Sequence, residues 1–190
     1  MRLASAALTA IATALLASCA TPQRDYRPDA LAMLKRDFKA KGIAGLDRLN
    51  EDKVQAACNK AQDNPSQEIT DSLQKEQFAA IKWPIDGKML GDWKSGERIA
   101  QDGRGMAWND KGGVGGSCYN CHQIGPRESS FGTIGPSLYQ FAKVRGYGAD
   151  IQRYAYGKIY NAKAYNLCSQ MPRFGHVNAL LMDPASPVNQ

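Results

Sequence analysis

The chain has 190 residues, with 24 Lys and Arg against 18 Asp and Glu and a formal net charge of +6. This length suits one domain, or one domain with a substantial extension. The positive charge is mild and is spread along the chain, which argues against nucleic acid as a partner and favours an acidic protein.

The first residues have the pattern of a bacterial export signal. A positive start, Met1-Arg2, precedes residues 3–17, which are uncharged and mostly apolar. This run is shorter than the roughly 20 residues of a membrane-spanning helix but matches a signal peptide. It ends in Leu16-Ala17-Ser18-Cys19, which is similar to the lipobox in which a cysteine is lipidated. We therefore predict a signal peptide at 1–18 and a periplasmic protein anchored through lipidated Cys19, with ordinary cleavage near Ala20 as the alternative.

Apolar residues repeat at helical spacing along the rest of the chain, and no run alternates as a strand would. Pro65-Ser66 and Trp83-Pro84 mark the start and the end of one such helix. We predict an all-α protein with a helical N-terminal extension at 19–90 and a second domain at 91–190. The predicted helices lie at 31–38, 46–58, 69–81, 92–101, 137–144, 150–164 and, very short, 177–182.

The five cysteines can be assigned from the oxidising compartment that an export signal implies. They are Cys19, Cys58, Cys118, Cys121 and Cys168. If Cys19 carries lipid and Cys118 and Cys121 serve one motif, then Cys58 and Cys168 are left as a pair. We predict a disulfide between them that joins the two halves of the chain, and two buried free thiols are the alternative.

Residues 118–122 read Cys-Tyr-Asn-Cys-His, a pattern that three kinds of site share. A structural zinc site needs four ligands, and the chain has no second motif of the form C-x-x-C or H-x-x-x-H. A redox dithiol of the thioredoxin kind needs a βαβ context, and no strand is predicted. The pattern is also the attachment signal for haem c, in which Cys118 and Cys121 bind the porphyrin and His122 binds the iron. Export agrees with this third interpretation, so we predict one covalent haem c.

An electron-transfer haem needs a sixth iron ligand, and methionine is a common one. Met171 opens the loop Met171-Pro172-Arg173-Phe174-Gly175, in which the proline interrupts regular structure. Met182 lies in an apolar run and is more typical of a core residue. We predict Met171 as the second axial ligand, with His176 as the alternative.

Several stretches outside the haem motif carry a family resemblance over about half of the chain. The segment from about residue 92 to 187 resembles SoxX, the small monohaem cytochrome subunit of the thiosulfate-oxidising SoxAX complex. The stretches that carry it are GGSCYNCHQ at 115–123, GTIGPSL at 132–138, YGKIYNA at 156–162, NLCSQMPRFG at 166–175 and LLMDPASPVN at 180–189.

The resemblance implies a class I cytochrome c-like haem domain at 91–190, with Cys118, Cys121, His122 and Met171 as its haem residues. It implies that a SoxA-like partner subunit catalyses the oxidative coupling of thiosulfate to a cysteine of a sulfur-carrier protein. This chain then passes the electrons to a soluble cytochrome c and supplies no catalytic residue of its own. A free-standing periplasmic monohaem electron carrier is the alternative function.

The chain departs from the family pattern after His176. In the family, a full C-terminal helix packs against the helix that precedes the haem motif, whereas only residues 177–182 separate His176 from Asp183-Pro184 here. Six residues form less than two helical turns, about 9 Å, which puts Met171 ligation in doubt. Arg173, beside the predicted ligand, is a candidate partner for a haem propionate or a solvated arginine.

Overall fold

The computed structural model describes residues 24–41, 45–101 and 116–176. No β-strand occurs in these three ranges, which confirms the all-α prediction. The α-helices are Arg27–Asp37 (α1), Lys53–Lys60 (α2), Gln67–Ala79 (α3), Trp93–Gln101 (α4), Phe141–Arg145 (α5) and Ala149–Tyr160 (α6). Short 3-10 helices lie at Leu46–Leu49, Cys118–Asn120, Ala162–Ala164 and Phe174–His176.

The chain divides into two compact units, Met1–Phe38 and Lys39–Gln190. The first contains α1, which has Pro28 in its first turn and two basic residues, Lys35 and Arg36, in its last turn. Both features favour a helix, since proline suits the first turn and basic side chains complement the helix dipole at its end. The second unit contains residues on both sides of the predicted boundary at residue 90, from the extension and from the haem domain alike.

The ends of α2 and α3 are set by capping side chains. Asp52 accepts a hydrogen bond from Gln55 N, and the Gln55 side chain accepts one from Asp52 N, so the two residues form a capping box. This cap starts a new helix and splits the predicted 46–58 helix in two. Helix α3 starts after Ser66, whose hydroxyl accepts from Ile69 N, as the sequence predicts.

Two predicted helices in the second half of the chain are shorter than expected. The 137–144 helix begins only at Phe141, because Gln140 adopts a left-handed conformation with φ +56°. The 150–164 helix ends at Tyr160, because Asn161 leaves the helical region with φ −147°. A 3-10 helix, Ala162–Ala164, then continues the chain. The predicted 177–182 helix lies outside the described residues.

Two groups of buried side chains form the core of the second unit. We call the first the aromatic cluster: Ile81, Tyr160, Ala164 and Phe174, with Trp83, Tyr156, Tyr165 and Met171 packed against it. We call the second the disulfide cluster: Val54, Cys58 and Leu167, with Leu73 and Cys168 packed against it. Both clusters join residues from before position 85 to residues from after position 155, so the N-terminal helices belong to the same core as the C-terminal segments.

The end of α6 is fixed to α3 and to the segment after it. The Tyr156 hydroxyl donates to the Lys82 carbonyl at 2.9 Å, and the Tyr156 ring lies 5.7 Å from that of Trp83. Asn161, which is 1% exposed, donates through Nδ2 to both the carbonyl and the side-chain oxygen of Gln77. A buried amide that is bonded in this way fixes the orientation of the backbone that carries it. We call residues 171–175 the methionine loop. These contacts hold the part of the chain that leads to this loop against α3.

Candidate functional site

The Cys-x-x-Cys-His motif forms a compact turn. Residues Cys118–Asn120 form one 3-10 turn, and Cys118 O accepts from both Cys121 N at 3.1 Å and His122 N at 2.9 Å. The two cysteines thus stand one turn apart, with the histidine directly after the second. This is the spacing that lets two thiols and one imidazole act on a single flat cofactor.

Both cysteines of the turn are unpaired and partly buried. Burial, with a smaller contribution from nearby Cys121, raises the pKa of the Cys118 thiol. Its sulfur donates to Gly116 O at 3.1 Å. Redox-active dithiols have the opposite property, since their attacking cysteine has a lowered pKa. The raised pKa of the Cys118 thiol therefore argues against a redox dithiol of this kind.

The ring of His122 is oriented by a backbone carbonyl. Its Nδ1 lies 2.6 Å from Pro136 O, and because a carbonyl oxygen only accepts, Nδ1 carries the hydrogen. In the neutral ring Nε2 then has the free lone pair that a metal requires. A backbone carbonyl on the second ring nitrogen is the usual support of a metal-bound histidine.

Two glycines allow the segment that carries Pro136 to lie directly against the motif. A Cβ on Gly132 would lie 1.7 Å from Asn120 O, and a Cβ on Gly135 would lie 2.1 Å from Cε1 of His122. Their amides bond back to the turn, Gly132 N to Tyr119 O and Gly135 N to Cys121 O, each at 2.8 Å. A side chain at Gly132 would displace the backbone of the turn, and one at Gly135 would displace the imidazole, so both positions require glycine.

The segment around the motif has an apolar surface and no buried residue of its own. Between residues 116 and 156 every residue is at least partly exposed. Ile134 is 81% exposed and Val144 76%, far more than is usual for side chains of this kind. The other exposed large apolar residues of this segment are Phe131, Tyr139 and Tyr147. A large apolar cofactor would cover such a surface.

The methionine loop reaches the motif through Phe174. Met171 packs against the aromatic cluster, to which the buried Phe174 belongs. The Phe174 ring lies against Gly116, where a Cβ would be 2.4 Å from Cε1. Gly116 also has φ +92°, a conformation that favours glycine. The loop with the predicted sixth ligand therefore contacts the residue two positions before Cys118.

Among the other predicted site residues, His176 lies in the 3-10 helix Phe174–His176. Cys19 and Met182 fall outside the described residues. Arg173 is not solvated, because it donates to Asp52 and Gln77 and its side chain is 19% exposed. Its partners in the structure are these two residues, 121 and 96 positions away.

The predicted disulfide between Cys58 and Cys168 is present, with Cα atoms 5.6 Å apart. Asp63 lies close to both cysteines, so the three form a group with the spacing of metal ligands. The disulfide leaves neither cysteine a thiolate to offer, so this group does not make a structural zinc site. The bond excludes the alternative of two free thiols.

The residues of the motif fit haem c. Two free thiols one turn apart, an imidazole with Nε2 available and an apolar surface around them are the donor set and the surroundings that such a group needs. The cysteines and the histidine could be identified from the sequence. Pro136 could not, because its main-chain carbonyl makes the contact and any residue has such a carbonyl.

Fold and site together define an all-α protein with a Cys-x-x-Cys-His turn in its second half. No protein-family model matches the chain. It is 36% identical over 161 residues to an uncharacterized lipoprotein of Aquifex aeolicus (strain VF5), an alignment that covers 74% of this chain and 73% of the relative. The chain belongs to the same family as this lipoprotein.

No helix within the described ranges combines the length and the apolar character needed to cross a membrane.

Proposed function

We propose that the protein is a haem c electron-transfer protein, and more specifically the SoxX-like subunit of a thiosulfate-oxidising complex of the SoxAX kind. One observation carries the proposal of haem c. His122 Nδ1 bonds to Pro136 O within a turn that also holds two unpaired cysteines. A histidine prepared for a metal and two thiols on one turn match the covalent attachment of one haem.

Each residue of the site has a separate task in this proposal. Cys118 and Cys121 would hold the porphyrin covalently, and His122 and Met171 would be the two ligands of the iron. Reversible one-electron reduction of iron is the chemistry that this group supplies when bound. Methionine raises the reduction potential. Exposed apolar residues after the turn, Phe131 and Ile134 among them, would limit the access of water to the porphyrin.

The thiosulfate pathway is supported by the sequence blocks beyond the haem motif. YGKIYNA at 156–162 covers the end of α6, and NLCSQMPRFG at 166–175 contains the methionine loop. These blocks are more specific to the SoxX-like pattern than the haem motif itself. In this proposal a SoxA-like subunit couples thiosulfate to the sulfur-carrier protein, and a soluble cytochrome c takes the electrons.

The proposed location is the periplasmic face of a membrane, through a lipid on Cys19. Support comes from the lipobox-like Leu16-Ala17-Ser18-Cys19 and from the relative, which is a lipoprotein. A multiply acylated cysteine is expected to anchor the protein firmly, whereas one acyl chain would bind only marginally. A Cys19→Ser variant should therefore move from the membrane fraction to the soluble fraction.

Affinity purification from the native host grown on thiosulfate tests the pathway. We expect the tagged protein to elute red, together with a second, catalytic cytochrome. The thiosulfate-dependent reduction of haem c should require that partner and the carrier protein. Cells grown without thiosulfate provide the control.

Two other outcomes would contradict this function in different ways. A red monomer that no partner reduces with thiosulfate would indicate a free-standing electron carrier. A colourless protein with two free thiols would refute the haem site itself.

A further inference from the structure

Helix α2 makes contact with both ends of the segment that carries Met171. We call residues 168–173 the methionine segment. At its start, Cys168 is bonded to Cys58 of α2. At its end, Arg173 donates to Asp52, the N-cap residue of the same helix. Asp52 and Cys58 are six residues apart, about 9 Å along a helix, so one short helix holds both ends of the segment.

The helix that holds these ends is itself firmly placed. Val54, 1% exposed, and Cys58, 4% exposed, are buried with Leu167, which directly precedes the methionine segment. The capping box of Asp52 and Gln55 fixes the first turn of α2. Buried apolar contacts and a satisfied cap are the features that keep a short helix in place. Helix α2 is thus a rigid support for the segment.

The contact at Arg173 is a small network of polar groups. Arg173 donates to Gln77 Oε1 through Nη1 and to Asp52 Oδ2 through Nη2. Gln77 Oε1 also accepts from the buried Asn161. Partial burial raises the pKa of the Asp52 carboxyl, but the hydrogen bond from Gln55 N and the Arg173 guanidinium outweigh it, so the pKa is lowered overall. Asp52 therefore stays charged at neutral pH and pairs with Arg173.

We propose that α2 is the positioning element for the sixth iron ligand: the Asp52–Arg173 ion pair and the Cys58–Cys168 disulfide together hold the methionine segment so that Met171 stays on the iron. This inference rests on the proposed haem function. It gives the N-terminal helices a task within the haem protein itself. Asp52 and Arg173 are positioning residues, since neither is proposed to touch the haem.

The disulfide and the ion pair fix the methionine segment at both of its ends, through α2. Holding both ends of the segment leaves few conformations in which Met171 departs, which favours the bound state.

The test is the competition between Met171 and added imidazole in the ferric holoprotein. Asp52→Asn removes the charge that faces Arg173 but keeps a residue that caps helices well, so α2 should remain folded. Loss of a charge-assisted hydrogen bond should change the equilibrium between bound and released Met171 by about tenfold. We expect Asp52→Asn to bind imidazole about tenfold more tightly than the unaltered protein. The red-edge band of sulfur–iron charge transfer should be lost at correspondingly lower imidazole concentration.

An ion pair between α2 and α3 provides a matched control. Lys53 and Glu76 pair at 3.2 Å between α2 and α3, both side chains are more than half exposed, and this pair includes no residue of the methionine segment. Glu76→Gln should leave imidazole affinity unchanged. In an Arg173→Gln background, Asp52→Asn should add nothing, because the two residues act through one contact.

Three results would overturn the inference, and they can be told apart. Equal imidazole affinity in Asp52→Asn and Glu76→Gln, in red and folded proteins, would refute the positioning role alone. Additive effects of Asp52→Asn and Arg173→Gln would show that the pair is not the cause. A colourless unaltered protein would refute the haem function and, with it, this role of α2.

Discussion

Replacing both Cys58 and Cys168 by serine is expected to lower the free energy of unfolding by about 4–5 kcal/mol. The disulfide joins residues 110 positions apart, and in the chain-entropy model a cross-link that closes a loop of this length strongly restricts the unfolded chain. Both cysteines also pack in the disulfide cluster with Val54 and Leu167, so two polar hydroxyls would replace apolar sulfur there. This is a large share of the stability of an ordinary domain.

Denaturant unfolding of the double variant measures this loss as a lower midpoint. Reductant should move the midpoint of the unaltered protein down towards that of the variant and should leave the variant unchanged. A loss below about 1 kcal/mol would show that the disulfide is not a major constraint on this chain.

Gly135→Ala is expected to lower the yield of holoprotein, since loss of the support of a metal-bound histidine costs about 10- to 100-fold in metal affinity. A methyl group there would lie 2.1–2.6 Å from Cε1, Nδ1 and Nε2 of His122, well inside van der Waals contact. The ring must move, and it then loses its hydrogen bond to Pro136 O. Its Nε2 is no longer oriented for iron.

Gly125→Ala is the matched control for this change. Gly125 follows the same motif, but a Cβ there would meet only Glu128 Oε1, at 3.5 Å, which is an ordinary contact. The two variants should therefore differ in covalent haem per chain, measured from the pyridine haemochrome spectrum. Equal haem content in both would mean that the position of the His122 ring is unimportant, against the proposed site.

The sequence was sufficient to predict the secondary structure class and the local chemistry of the site. Helical periodicity, Ser66 before α3 and the turn signal Trp83-Pro84 were enough for an all-helical chain. Counting cysteines in an exported protein was enough for the Cys58–Cys168 bond. These features depend on local patterns or on residue chemistry, both of which can be read along a chain.

The other contacts between distant residues could not be predicted in this way. Arg173 lies in the methionine loop, but its partner Asp52 lies 121 residues away. Asp52 carries only the local signal of a helix cap, because Gln55 completes its capping box. The interruption at Asn161 depends likewise on the buried contact with Gln77 in α3. Such features follow from packing, which brings separate segments together and has no periodic pattern.

Covalent haem on residues 118–122 is the central claim, and intact-mass spectrometry tests it directly. The protein should be exported in a host that attaches haem c. We expect a mass increase of one haem, located on the peptide that contains Cys118 and Cys121, and none in a Cys118→Ala, Cys121→Ala double variant. A correctly folded protein with its Cys58–Cys168 bond intact, no added haem and both motif thiols free to react would contradict the account.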